Sequence, residues 1–262
     1  MDPSPKIALV LGAGSARGLA HIGVLQVLVE NSIPFDLIVG SSMGAMVGGL
    51  YACGTDMVML GKMIDNMDLR VFFDVRLPRM GFIAGKKMDA LLSLLTKKKT
   101  FAETLLPLHM MATDLISGDS VVLDSGPVAD AIRASVSVPG VFSPVKKGDM
   151  ILVDGAVTDR LPVKVARERG ADMVIAVDVM FGGGKEINIR NTLDVIITSL
   201  DIMQKGQFEH VKGMSDVLIQ PQVGGFSPRA FDKAAQIIAL GRQAAEQSLE
   251  QIYSKLPPSQ RP

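Results

Sequence analysis

The run Ile7-Ala-Leu-Val-Leu11 constrains the fold more than any other stretch of the chain. Five consecutive apolar residues closed by Gly12 read as a strand buried on both faces, which places it at the centre of a sheet rather than at an edge. The glycine-rich turn Gly12–Gly18 and an apolar helical stretch, Leu19–Glu30, follow it directly. Phe35–Val39 then repeats the pattern. It leads through the sharp turn Gly40-Ser-Ser-Met-Gly44 into a second apolar helix that runs to Cys53 and is closed by Gly54. Along that helix Gly44, Gly48 and Ala52 recur every four residues, so one face is nearly bare and can lie close against a sheet.

Further strand signals come at Leu108–Thr113, Ser120–Leu123, Met150–Val153, Val174–Val179 and Val217–Gln220, between helical stretches at 127–136, 162–169, 190–212 and 229–253. This alternation predicts an α/β fold, a three-layer sandwich whose mostly parallel central sheet is flanked by helices. Ser227-Pro228 reads as the cap and first turn of the last helix, whose apolar stripe is Phe231, Ala235, Ile238, Ala245, Leu249 and Ile252. With 262 residues, 48% of them apolar, the chain can bury roughly three quarters of its unfolded surface. No linker, repeat or low-complexity block interrupts it, so residues 5–255 are expected to form a single domain.

Charge and cysteine content exclude several classes of function. The 27 basic and 27 acidic residues cancel, which removes the electrostatic footprint of a nucleic-acid binder. The lone Cys53 gives neither a disulfide framework nor a metal cluster. The opening Met1–Lys6 lacks the basic flank of a signal peptide, and the most apolar long stretch, Ala45–Ile64, is broken by Asp56 and Lys62. A soluble cytoplasmic protein is the expectation.

Gly40-Ser-Ser-Met-Gly44 has the form G-x-S-x-G, in which a nucleophile sits on a strained strand-to-helix turn that leaves no room for side chains at the flanking positions. Ser42 would then be exposed at the sheet edge; the alternative is a tight turn in which Ser42 merely caps the helix. The loop Gly12-Ala-Gly-Ser-Ala-Arg-Gly18 suits an oxyanion hole, a pyrophosphate cradle or an unliganded turn. A dinucleotide site would call for an acidic residue at the end of the second strand, where Val39-Gly40-Ser41 stands instead. Of the three histidines, His21 and His109 fall within an apolar helix and a strand, where structural roles are expected, and His210 falls late in a helical stretch rather than in a loop. An acid could serve as base directly. Asp154, at the end of a strand and opening Asp-Gly-Ala, would be presented at the same sheet edge as Ser42, but strand position does not separate it from Asp114, Asp124 or Asp178.

Three segments, LVLGAGSARGLAHIGVL (9–25), IVGSSMGAMVGGLYA (38–52) and VDGAV (153–157), supported by RASVSVPGVFSPV (133–145), resemble the patatin-like phospholipase family in order and spacing. The resemblance implies a Ser–Asp dyad working without histidine, with Ser42 as nucleophile and Asp154 as base. It implies an oxyanion hole built from the amides of Ala13, Gly14 and Ser15, with Gly12, Arg17, Gly18, Gly40, Gly44 and Gly155 completing the motifs. Ala13 and Ser15 interrupt the family's glycine run, so a left-handed backbone at either would be strained. Fatty-acyl esters, phospholipid or lysophospholipid, are the implied substrates, and neither metal nor organic cofactor is called for. A catalytically silent scaffold of the same fold and a nucleotide-binding oxidoreductase are the competing readings, to be separated by serine-directed labelling and by nicotinamide titration.

Segment 68–87 mixes Phe72, Phe73 and Phe82 with Arg70, Arg76, Arg79, Lys86 and Lys87, a composition suited to peripheral contact with an anionic membrane or to a flap over the site. Lys97-Lys98-Lys99 reads as a solvated loop, and Cys53 as a packing residue.

Overall fold

The computed structural model describes residues 5–66, 86–180, 189, 192–257 and 260–261. Its strands are β1 (Ile7–Leu11), β2 (Leu37–Ser41), β3 (Leu108–Asp114), β4 (Ser120–Leu123), β5 (Val145–Lys147), β6 (Met150–Asp154), β7 (Met173–Val177) and β8 (Val217–Ile219). Its helices are α1 (Ala20–Glu30), α2 (Met43–Ala52), α3 (Met57–Asp65), α4 (Lys86–Leu95), α5 (Val128–Ser135), α6 (Val163–Glu168), α7 (Thr192–Val211) and α8 (Ala234–Lys255). The strands form one sheet in the order β5-β6-β3-β2-β1-β7-β8, with β4 also paired to β3. The pairs β1–β2, β1–β7, β2–β3 and β7–β8 are parallel, and the three that involve β4, β5 and β6 are antiparallel. β1 is central, as its unbroken apolar run requires.

Alternate residues of β1 feed different cores. Ile7, Leu9 and Leu11 pack with residues of α1, α2, α5 and α8 on one face, whereas Ala8 and Val10 pack with α6 and Phe208 of α7 on the other. Helices thus cover both faces, giving the expected three layers. The α1–α8 contact is close: a Cβ on Gly23 would lie 2.0 Å from the Ile238 carbonyl oxygen, and one on Gly241 2.0 Å from that of Ala20.

Two elements differ from expectation. β5 carried no legible signal, because three residues, two of them lysine, are too few for alternation to show; it exists as the edge partner of β6. The last helix begins at Ala234, not at Ser227-Pro228. The Pro228 carbonyl instead accepts from the Ala16 N–H at 3.0 Å, so this segment folds back over the glycine-rich loop rather than starting a helix. The buried face of α8 comprises Ala234, Ile237, Ile238, Gly241, Ala245 and Ile252, and Ala235 is exposed.

The register around β3 decides what meets at the sheet's edge. β4 occupies one side of β3 along Met110–Thr113, so β2, opposite Leu108–Met111, and β6, opposite Ala112–Asp114, share the other side. β2 ends with Ser41 facing Met111, and β6, running the opposite way, ends with Asp154 facing Ala112. Their C-terminal ends therefore meet head-on, on adjacent residues of one strand.

Candidate active site

The turn after β2 is shaped by what cannot fit inside it. A Cβ on Gly40 would lie 2.6 Å from the backbone N of Ala45, and one on Gly44 2.0 Å from the Leu11 carbonyl oxygen. With both positions bare, α2 starts one residue after Ser42, and Ser42 adopts φ 53°, ψ −121°, a conformation that costs an L-residue about 1–3 kcal/mol. Its N–H donates to Ser135 Oγ at 3.0 Å, and Ser135 is itself fully buried on α5. The left-handed turn aims the Ser42 hydroxyl at the end of β6.

There Ser42 Oγ donates to Asp154 Oδ2 at 2.6 Å. The other carboxylate oxygen, Oδ1, accepts from the Ala156 N–H at 2.8 Å, while the Asp154 backbone is fixed by Ser137 O and by the Thr113 hydroxyl. Gly155 permits the turn: a Cβ there would lie 2.4 Å from the Met111 carbonyl oxygen. Burial pushes the Asp154 carboxyl up to about 6, against the opposing pull of the Ser42 and Ala156 hydrogen bonds and the Arg160 charge. Ser42 and Asp154 are only 5% and 3% exposed. The exposure expected of Ser42 is not found: it faces a pocket walled by the glycine-rich loop, by Val138 and Pro139, and by Ile197 and Leu200 of α7.

The glycine-rich loop reaches the same space, since Ala13, Gly14 and Ser15 line it together with Ser42 and Asp154. The Ala13 amide does not fit the role expected of it, because it donates to the Arg160 carbonyl at 2.9 Å. Among the described residues the Gly14 and Ser15 N–H groups have no protein acceptor, and Ser15 carries the strained positive φ, 49°, that its departure from glycine foreshadowed. Gly12 donates its N–H to Val177 O, and its carbonyl accepts from His21. Arg17, buried under the loop, donates through Nε to Phe226 O at 2.6 Å. Gly18 packs where a Cβ would lie 2.4 Å from Met43 Cγ.

None of the histidines meets Ser42. His21 Nε2 is 2.7 Å from the Gly12 carbonyl in a fully buried position, and burial lowers its pKa to about 4, so the neutral ring donates to that oxygen. His109 lies 3.7 Å from Asp124, and His210 Nδ1 is 3.2 Å from the Gly206 carbonyl on its own helix. Of the four candidate acids only Asp154 is bonded to Ser42. Asp114 accepts from the Ile151 and Ile116 N–H groups, Asp178 from Met180 and Gln220, and Asp124 pairs with Arg169. Cys53 is a buried free thiol, as expected of packing.

No pattern in the sequence marks Ser135 or the group Arg160, Asp201 and Gln204. Arg160 Nη1 donates to Asp201 Oδ1 at 3.1 Å and Gln204 Oε1 at 3.0 Å, both on α7, and Nη2 donates to Ala13 O at 3.2 Å. An arginine six residues after Asp154 carries no local pattern that would mark it. Of the segment 68–87, residues 68–85 lie outside the described residues, and Lys86 and Lys87 begin α4. Among the described residues no helix is long and apolar enough to cross a membrane.

The pocket above Ser42 is partly open to solvent, and Val138, Val157, Met180, Ile197 and Leu200 make much of its wall apolar. The arrangement places a serine hydroxyl on a strained turn, a carboxylate that accepts its hydrogen bond and two amides with no acceptor among the described residues around one largely apolar space.

A family model described as patatin-like phospholipase matches residues 9–167. An uncharacterized NTE family protein of Mycobacterium tuberculosis is 36% identical over 178 residues, 67% of this chain and 49% of that protein. Lysophospholipase NTE1 of Kluyveromyces lactis is 27% identical over 285 residues, 96% of this chain and 20% of the yeast protein. The chain thus spans about half the length of the mycobacterial relative and a fifth of the yeast one. Among solved structures, VipD from Legionella pneumophila superposes with a TM-score of 0.61 at 14% identity, covering 95% of this chain and 67% of that one.

Proposed function

The chain belongs to the patatin-like phospholipase family, and we propose that it is a serine acyl hydrolase which cleaves fatty-acyl esters of lipids through the dyad Ser42–Asp154 in one domain spanning residues 5–255. The observation that carries this reading is the 2.6 Å hydrogen bond from Ser42 Oγ to Asp154, formed between two buried side chains at a left-handed elbow. A carboxylate at its ordinary pKa, about 4, is a weak base for a hydroxyl; raised to about 6, it remains mostly ionised at neutral pH and binds the proton more firmly.

In this mechanism Asp154 takes the proton from Ser42 Oγ as the oxygen attacks the ester carbonyl carbon. The carbonyl oxygen becomes an oxyanion facing the N–H groups of Gly14 and Ser15. Collapse breaks the ester bond, and the leaving alcohol oxygen receives the proton held by Asp154. Water then attacks the acyl-enzyme, giving its proton to Asp154, and the freed acid leaves as Ser42 regains its hydrogen. The apolar wall from Val138 to Leu200 suits an acyl chain, and the lysophospholipase name of the yeast relative favours lysophospholipid or phospholipid as substrate.

A fluorophosphonate probe should label the wild type and not Ser42→Ala, with loss of short-chain nitrophenyl ester turnover on the order of 10³-fold or more in that variant. Equal labelling of the two proteins would end the reading. Hydrolysis of a lipid extract followed by mass spectrometry would then identify the head group and acyl chain released.

A further inference from the structure

Once Ser42 and Asp154 are assigned, the Arg160 cluster remains without a role. Arg160 is buried, and a buried guanidinium is held only where charge and hydrogen bonds compensate its lost hydration. It spends those bonds on the glycine-rich loop and on α7.

We propose that Arg160 is a positioning residue for the oxyanion site, locking the Ala13–Gly14 peptide with its N–H toward Ser42, and that Asp201 and Gln204 of α7 hold Arg160 in that pose. This rests on the hydrolase reading given above. A trans peptide points its C=O and its N–H in opposite directions, so fixing one fixes the other. Arg160 grips residue 13 from both sides: its own carbonyl accepts the Ala13 N–H at 2.9 Å, and its Nη2 donates to the Ala13 carbonyl oxygen at 3.2 Å. The Gly14 N–H is thereby turned away from Arg160. With no acceptor among the described residues, it is left for a ligand in the pocket that Gly14 and Ser42 both line.

The loop needs such a clamp. A peptide followed by glycine meets little steric resistance to flipping, and a flip would put the Ala13 carbonyl where the oxyanion must form. The other tethers act elsewhere: His21 holds the Gly12 carbonyl, and Pro228 holds the Ala16 N–H. Among the described residues only Arg160 grips the carbonyl of the Ala13–Gly14 peptide itself. Its Nη1 bonds to Asp201 and Gln204, three residues apart on α7, whose Ile197 and Leu200 line the same pocket. A helix that lines the pocket is thus one hydrogen bond from Arg160. The Arg160 charge also favours the ionised form of Asp154.

The test uses the full chain with a nitrophenyl butyrate ester, an alkyl trifluoromethyl ketone, which binds serine hydrolases as a tetrahedral oxyanion, and thermal unfolding. Arg160→Gln should lower kcat about 10²-fold with KM within about threefold of wild type, and should weaken the ketone's inhibition by a similar factor. Arg160→Lys, which keeps one charged donor, should recover about tenfold of that loss. Should Arg160→Gln not fold, Asp201→Asn decides: it keeps the oxygen acceptor but removes the charge, and should lower kcat about fivefold at unchanged KM. The proposal is overturned if kcat in the folded variants stays within twofold of wild type, or if KM rises while inhibition by the ketone is unchanged. A wild type that neither labels with fluorophosphonate nor turns over the ester would fail the hydrolase reading itself; an active wild type with silent Arg160 variants fails this proposal alone.

Discussion

Two glycine-rich turns leave the same edge of the sheet, one after β1 and one after β2. In the elbow after β2 the forbidden contacts are with backbone: added Cβ atoms at Gly40 and Gly44 collide with Ala45 N and Leu11 O at 2.6 and 2.0 Å. In the loop after β1 the contacts of Gly14 and Gly18 are mainly with the side chains of Val179 and Met43, and Gly12 keeps 3.0 Å or more from its neighbours. The loop's shape comes from tethers far away in the chain: Arg160 on Ala13, Pro228 on Ala16, Phe226 on Arg17. A turn specified by its own residues is readable as a motif. A turn specified by remote partners shows only as glycine content.

The sharpest way to break this contrast is to add one methyl group to each turn. Gly44→Ala forces a Cβ into backbone that has nowhere to go, and should cost on the order of 4 kcal/mol or more, seen as loss of cooperative unfolding in urea. Gly12→Ala needs its neighbours to yield by a few tenths of an ångström, and should cost about 1 kcal/mol. Equal costs would mean that the elbow is no more locally determined than the loop.

The next effect concerns the loop's tether at His21. The buried ring has a pKa near 4, whereas the unfolded chain's is near 6.5, so the folded state binds this proton less readily. Stability from this group is complete above pH 6.5 and is lost as pH falls toward 4, by about 3 kcal/mol at most. Wild type should therefore lose stability relative to His21→Gln across that window, as followed by urea midpoints. A constant difference would show that the ring is not held neutral on the Gly12 carbonyl.

Asp154 should behave in the opposite sense. Its folded pKa, about 6, lies above the ordinary 3.8, so its stabilising contribution is present below the ordinary value and is lost as pH rises through 6. Asp154→Asn should then be more stable than wild type at pH 7 by on the order of 2 kcal/mol, with the advantage shrinking to nothing near pH 4, while ester turnover falls about 10³-fold. Asp159, raised to about 6 by burial as well, is present in both proteins and cancels. In the wild type kcat/KM should fall about tenfold per pH unit below 6 as the base is protonated.

The same division explains how far the sequence could be read. The strands β1, β2, β3, β6 and β7 and the small-residue face of α2 are written in consecutive residues, and they reveal themselves by run length and spacing. Strand position alone left Asp154 level with Asp114, Asp124 and Asp178, because what brings Asp154 to Ser42 is the register of β6 on β3, a property of two strands 36 residues apart in sequence that no local pattern encodes. The start of α8 departs from the local pattern for a related reason: Ser227-Pro228 has the chemistry of a helix cap, but Pro228 is committed to the loop after β1. The engagement of the Ala13 amide, the burial of Ser42 and the Arg160 cluster all depend on contacts between distant segments.

The smallest predicted effect tests whether the elbow is as self-sufficient as its glycines suggest. Ser42 has one remote support, the hydroxyl of Ser135 on α5, which accepts the Ser42 N–H at 3.0 Å. Ser135→Ala removes that acceptor in a fully buried setting, so the N–H of a residue already in a strained conformation loses its partner. The expected cost is about 1 kcal/mol of stability, with kcat lowered several-fold as the hydroxyl wanders from Asp154, and KM unchanged. If the variant matches wild type in both unfolding and turnover, the collision geometry of Gly40 and Gly44 suffices to set the nucleophile. A loss approaching that of Gly44→Ala would mean instead that the elbow, like the loop beside it, is held in shape from outside.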